Sequence, residues 1–297
     1  MSTVEPAVVA MREKAAVGPA NGGGNGRPII IQATSGWNAL NLFELWEHRD
    51  LIYFFLWRDR KVRYKQTVLG VLWVVLQPLA AMLIFTVFFG KLAKVPSDGI
   101  PYPLFAYTAL VPWLFFSSGL SRGAVSLVGN ANMIKKVYFP RLIVPISAVA
   151  SGLIDLLLSF VMLLAMMGYY RIAPTTNLLW LPLFLLLAFV TCLGITLWLA
   201  ALAVEYRDIN HVVPFLVQLW LFATPVVYPS SLVPYRWRTL YASNPMVGVV
   251  EGFRWALLGR GAPPNRLFLV SAVVATAVLV AGLFYFRRKE RNFADVV

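Results

Sequence analysis

The sequence is poor in charge and in the residues that catalysis draws on. Only 13% of its 297 residues are charged, there are two histidines, His48 and His211, and the single cysteine, Cys192, has no disulfide partner within the chain. These shortages exclude a disulfide-stapled secreted domain. They also leave no metal-ligand spacing, no nucleophile–base pattern and no pair of acids within an apolar run. No Gly-Lys-Ser/Thr follows the glycines at 22–26, so the chain has no P-loop of its own. Apolar residues, by contrast, are in excess: 59% of the chain is hydrophobic and the mean hydropathy is +0.71. A soluble enzyme or a disordered chain does not carry such a composition, and the reading is an all-α polytopic membrane protein.

Runs of about 20 apolar residues are needed to cross a bilayer core of about 30 Å. Six candidates meet that test: Thr67 to Gly90, Pro103 to Ser121, Ile143 to Tyr170, Leu178 to Val204, Val212 to Tyr228 and Leu267 to Phe286. An even number puts both termini on one side. With the termini in the cytoplasm, 18 of the 26 basic residues fall inside and 8 outside, the bias that orients membrane proteins. The net charge of +13 follows from the same bias, so no nucleic-acid partner is expected.

Residues 1–36, rich in Gly, Ala and Asn, read as a flexible tail rather than a secretory signal. From 38 to 57, Leu42, Leu45, Trp46, Ile52, Tyr53 and Leu56 recur at helical spacing against Glu44, Glu47, Arg49 and Asp50. This amphipathic helix either lies in the membrane interface or packs on another subunit. The basic segment that completes the 37–66 region carries Arg58, Arg60, Lys61, Arg63 and Lys65. It serves as positive-inside anchoring, or as a docking site for a phosphate-bearing lipid. Residues 67–297 form the transmembrane domain. Within it, Val247 to Leu258 is too short to span and reads as a re-entrant or external helix in which Glu251 and Arg254 pair at i,i+3.

Asp155 lies inside the third span, where an unpaired charge costs at least ~2.5 kcal/mol, so it is neutral, paired or water-exposed. It marks either a functional site or a structural pair. Aromatic residues make up 14% of the chain. Trp73, Phe85, Trp113, Phe116, Trp220, Phe222 and Tyr228 are candidates to line a passage, where a ring face stacks on sugars; interface belts and packing account for most such residues.

Four stretches resemble the membrane subunits of ABC-2 type exporters of polysaccharides, which serve O-antigen, capsule and teichoic acid export. They are RDRKVRYKQTVLGVLW (58–73) with LQP (76–78), NANMIKKVYFPR (130–141), YRDINHVVP (206–214) with TPVVYP (224–229), and NPMVGVVEGFR (244–254) with ALLG (256–259). The likeness runs from residue 37 to the end. Tyr206 stands where the family more often has Phe, and the N-terminal tail is longer than usual.

The resemblance implies that two copies of the chain form a channel and pair with two copies of a separate ABC ATPase. That partner would carry ATP and Mg, and no cofactor or metal is expected in this chain. The loop at 130–141 would be the coupling helix, with Met133, Ile134, Lys135, Lys136, Val137, Tyr138 and Phe139 meeting the ATPase. The basic cluster would receive the pyrophosphate of a lipid-linked glycan, and Glu251 and Arg254 would belong to helices closing the outer mouth. A multi-pass protein of the bacterial inner membrane, not itself an enzyme, is implied. The alternatives are an ABC-2 exporter of a small lipid or drug, or a polytopic glycolipid-modifying enzyme, which the empty catalytic inventory disfavours.

Overall fold

A computed structural model describes residues 46–64, 70, 72–137, 139–261, 263–290 and 293. The tail at 1–36, Lys65 and Tyr138 lie outside the described residues, as do the side chains of Arg60 and Arg63. The described residues are helical, with turns between helices and no strand. Hydrocarbon offers the backbone no partners, so each crossing segment satisfies its own amides.

The elements are α1 (Arg49–Tyr64), α2 (Leu72–Phe85, prolonged by a π-helical turn, Thr86–Leu92), α3 (Tyr102–Ala124), the short α4 (Ser126–Gly129) and α5 (Ala131–Lys136), α6 (Ile143–Ala150) and α7 (Gly152–Tyr169). After them come α8 (Leu181–Glu205), α9 (Ile209–Phe222), α10 (Arg238–Ala242), α11 (Pro245–Leu258) and α12 (Arg266–Glu290). Helix α3 is the centre of the bundle: Leu104 to Val111, Trp113, Phe115 and Phe116 are all buried. It is surrounded by α2, α6, α7, α8, α9 and α11. Helix α2 is the opposite case, exposing Leu72, Trp73, Leu83, Ile84, Val87, Phe88 and Leu92. Lipid tails or another protein surface must cover that face.

Among the described residues five helical stretches are long and apolar enough to cross a membrane: Leu72–Leu92, Tyr102–Ala124, Ile143–Tyr169, Thr176–Glu205 and Arg266–Glu290. The expected fifth span, Val212 to Tyr228, differs. Its helix ends at Phe222 after 14 residues, about 21 Å at 1.5 Å per residue. Pro225 is the cause, because it cannot donate to the ladder and disfavours helical backbone at Thr224. The non-helical continuation is held by side chains. Asn244 Nδ2 donates to the Ala223 carbonyl at 3.1 Å, Tyr102 Oη to that of Val227 at 2.7 Å, and Arg254 Nη2 to that of Val226 at 3.0 Å. Irregular backbone at membrane depth requires such partners.

Two further boundaries moved. The amphipathic helix runs through the basic segment to Tyr64 rather than ending at Trp57, because Arg58 to Tyr64 contains no Pro or Gly to stop it. Helix α11 starts at the Asn244 cap, whose Oδ1 accepts from the Met246 amide at 3.1 Å, and ends at Gly259, φ +64°. It is packed into the bundle against α3, α8 and α12. A surface-lying position is ruled out by its burial. Gly252 permits the closest approach: a Cβ there would lie 2.2 Å from the Phe184 ring.

Candidate transport path and coupling surface

One end of the bundle, here called proximal, gathers α1, the 125–142 connection, the α8–α9 turn and the end of α12. Phe55 and Phe139, both buried, pack at 5.7 Å between ring centroids. Arg58 lies over the Phe55 ring and donates from Nη2 to Asn130 Oδ1 at 2.7 Å and to Asp59 Oδ1 at 2.8 Å. The other side of the connection is held by α12: the Arg141 amide donates to Glu290 Oε1 at 3.2 Å, Arg141 Nη1 bonds the Glu290 carbonyl, and Arg287 pairs with Glu290 at 2.9 Å. Lys289 reaches Glu205 at the end of α8 at 2.6 Å. The loop is thus tied at one end to the amphipathic helix α1 and at the other to α12, which is long and apolar enough to cross a membrane.

These ties reassign part of the expected coupling surface. Ile134 and Phe139 were expected to anchor a partner; both are buried within this chain, Phe139 against Phe55 of α1, while Arg58 of α1 also reaches Met133. Met133 is half-buried, and Lys135, Lys136 and Val137 are exposed. Arg58, expected among the lipid-docking bases, is committed to Asn130. Lys61 is exposed and sits 4.4 Å over the Trp57 ring, while Trp46, Tyr53 and Trp57 are themselves exposed.

If Arg58 positions the loop, Arg58→Ala is expected to raise hydrogen exchange of the amides at 130–137 by about tenfold, a loss of roughly one charge-assisted hydrogen bond. Mass-spectrometric exchange measures it. Unchanged exchange there would return Arg58 to the lipid-facing cluster.

Within the bundle a cleft of about 540 Å³ opens between α2, α3, α7 and α9. Asp155 faces it, with Oδ2 3.9 Å from Arg122 Nη1 on α3. Gly152 lets the guanidinium pass: a Cβ there would lie 2.7 Å from Arg122 Nη2. Ser117, Ser121, Ser159 and Gln77 share the lining, and Trp73 supplies an aromatic wall. Sequence reading found Asp155 and Trp73 but missed the others. The available signal was Ser117 and Ser121 one turn apart, next to Arg122, at the end of an otherwise apolar span.

The remaining aromatic candidates divide. Trp113 and Phe116 are buried core residues packed on each other at 5.5 Å between ring centroids, so they do not line an open passage within this chain. Trp220 closes that cluster edge-on to Phe116 at 5.2 Å and donates to Asn244 Oδ1 at 3.0 Å. Phe85 meets Phe89 edge-on, Phe222 is exposed, and Tyr228 Oη donates to the Phe222 carbonyl at 2.8 Å.

At the distal end a second cavity of about 540 Å³ is lined by Asp98, Tyr241, Glu251 and Arg260 among others. Tyr241 Oη donates to Tyr228 Oη at 3.0 Å, and burial pushes its phenol well above the usual tyrosine range, helped by that bond. Glu251 faces this cavity and pairs with Arg254 at 3.3 Å. Arg254 itself is 3% exposed, lies 3.6 Å over the Phe105 ring and holds the Val226 carbonyl. Burial pulls its guanidinium down and Glu251 holds it up; an arginine begins so high that it stays charged. Arg254→Met is therefore expected to cost about 3 kcal/mol by stranding Glu251 and the Val226 carbonyl. Thermal unfolding in detergent reads it, and Glu251→Gln added to Arg254→Met should recover part of the loss.

The central buried helix, the apolar stretches around it and the polar cleft define a polytopic helical membrane protein. The chain belongs to the ABC-2 type transporter family, whose model matches residues 50–258. It is 32% identical over 257 residues to the O-antigen export system permease protein RfbA of Myxococcus xanthus, covering 86% of this chain and 98% of that protein. Identity to an O-antigen export system permease protein RfbA of Klebsiella pneumoniae is 28% over 249 residues, 84% of this chain and 95% of the relative. The polysialic acid transport protein KpsM of Escherichia coli is 27% identical over 245 residues, 78% and 91% of the two chains. The chain is thus a multi-pass membrane protein similar to transport permeases.

Proposed function

We propose that the chain is the membrane-spanning subunit of an ATP-driven exporter that moves lipid-linked polysaccharide, O-antigen-like, from the cytoplasmic to the outer side of the inner membrane. The observation that carries this reading is the likeness to the O-antigen export permease of Myxococcus xanthus over 98% of that protein. The relative's name and the polar cleft both support a hydrophilic cargo.

The proximal end faces the cytoplasm in this reading, because basic residues are held on that side. Two copies of the chain join along the exposed apolar residues Leu83, Ile84, Val87 and Phe88 of α2 and its π-helical turn. A separate ABC ATPase pair, carrying ATP and Mg, meets Lys135, Lys136 and Val137. Nucleotide-driven closure of that pair pushes the 130–141 loop. The loop's ties to α1 through Arg58 and to α12 through Arg141 carry the displacement into the bundle. Energy enters as the difference in ATPase binding between the two packings of the membrane halves. The pyrophosphate of the carrier lipid docks at Arg60, Lys61, Arg63 and Lys65, and Glu251 borders the outer exit.

The test is to purify the tagged chain from its native membranes, identify what accompanies it and assay ATP hydrolysis. A Walker-A protein in equal amount, with hydrolysis stimulated by lipid-linked glycan, is expected. Absence of any ATPase would overturn the exporter reading, and a partner indifferent to glycan would overturn the cargo.

A further inference from the structure

We infer that the cleft beside Arg122 and Asp155 is a binding site for the neutral sugar hydroxyls of the cargo, and does not hold its pyrophosphate; this rests on the export reading above. The argument begins with cost. Asp155 lies about midway along the stretch Ile143–Tyr169 and Gln77 lies in Leu72–Leu92, so both belong to helices long and apolar enough to cross a membrane. Polar groups there are expensive against lipid tails and line hydrated or ligand-filled space. Gln77 is exposed on its helix and opens onto the cleft, which therefore is not a lipid groove.

The hydrogen-bonding sense of the lining selects the ligand. Ser117 Oγ donates to the Leu114 carbonyl at 3.3 Å, Ser121 Oγ to the Ser117 carbonyl at 2.8 Å, and Ser159 Oγ to the Asp155 carbonyl at 3.0 Å. Each hydroxyl spends its only proton on the backbone and turns lone pairs to the cleft. The carboxylate of Asp155 adds further acceptors. The serine and carboxylate acceptors, beside Gln77 and Arg122, which donate, call for a ligand whose groups both donate and accept, and a sugar brings an O–H on most of its carbons.

A pyrophosphate brings acceptors alone and would face oxygen with oxygen. Arg122, the cation among the described lining residues, does not rescue it. Arg122 and Asp155 lie 3.9 Å apart, so their charges cancel at any distance from which an anion would be attracted. Trp73 completes the site, since an aromatic face takes the apolar C–H face of a sugar ring while the serines take its edge.

The complex with its ATPase partner in lipid nanodiscs provides the test. The probes are polyprenyl pyrophosphate alone and the same lipid carrying a neutral oligosaccharide of about ten hexoses. In Ser117→Ala/Ser121→Ala, the half-maximal concentration for ATPase stimulation by the glycan-bearing lipid is expected to rise about tenfold relative to the bare carrier, the loss of roughly two neutral hydrogen bonds. Gln77→Leu, on a different helix, should move it in the same direction. Monodisperse elution of each variant with its partner excludes misfolding, and alanine is well tolerated within a helix. If the variants match wild type, or shift both lipids equally, the assignment is overturned while the export reading stands. If wild type responds to neither lipid, the export reading fails and this assignment with it.

Discussion

Leucine in place of Gly282 is expected to abolish accumulation of the folded permease. Helices α8 and α12 run against each other along the bundle, and at Gly282 even a methyl group would meet the Gly194 carbonyl oxygen at 2.6 Å. The facing position repeats the constraint, because a Cβ at Gly194 would lie 2.8 Å from the Leu279 amide nitrogen. Both obstacles are backbone, so no rotamer relieves them and the helices must separate. In a membrane, small residues at a crossing supply the close packing that replaces the hydrophobic effect. Separation also withdraws the Trp198 indole from its stack on Tyr285, centroids 4.6 Å apart, and loosens the Lys289–Glu205 tie. Overpacking of a core costs about 1–3 kcal/mol, and more where backbone must move. Membrane-fraction yield and size-exclusion profile of Gly282→Leu read the outcome. A monodisperse, wild-type yield would refute the close crossing.

Reversing charge at the exposed part of the proximal loop, Lys135→Glu/Lys136→Glu with Val137→Asp, is expected to detach the ATPase while leaving the membrane fold intact. Among the described residues of the loop these three side chains are exposed, whereas Ile134 and Phe139 are buried, Phe139 against Phe55 of α1. Losing an interfacial anchor and two complementary charges is worth about 3 kcal/mol or more, roughly a hundredfold in affinity. Pull-down of the partner at fixed concentration measures it. Phe139→Leu is the control, since it keeps an apolar contact with Phe55 and should retain the partner. Phe139→Asp should also release the partner, though by burying an unpaired carboxylate that unseats the whole loop. Retained partner in the triple variant would move the docking surface away from α5.

The outline of the fold was legible because bilayer thickness imposes a length, and length is a one-dimensional property. Thr176–Glu205 and Ile143–Tyr169 therefore fall close to the runs read from hydropathy. The fifth span was misjudged because Val226 and Val227 are as apolar as helix residues, whereas the break at Pro225 depends on partners, Tyr102 and Arg254, far away in the chain. Helix α11 was recognised by a length too short to span, although its start lies at the Asn244 cap rather than at Val247. Its burial was not, since an apolar helix reads alike in lipid and in a bundle.

The same ambiguity governed the site. Asp155 stood out as an acid in an apolar run, while Arg122, its partner across the α3–α7 contact, looked like an ordinary basic flank. Phe139 reads in the sequence as an exposed apolar anchor, whereas the fold sets it against Phe55, far from it in the chain.

The sequence by itself determined the class, the approximate lengths of most crossing helices and the four stretches that carry the family likeness, because each depends on neighbours along the chain. Only the tertiary structure decided which apolar faces are internal, which bases are committed and where the polar cleft opens. In water, burial writes a periodic pattern of polar and apolar residues into a helix. In a bilayer, lipid and protein interior are equally apolar, so that pattern is absent, and the inside of the bundle is known only when its helices are brought together.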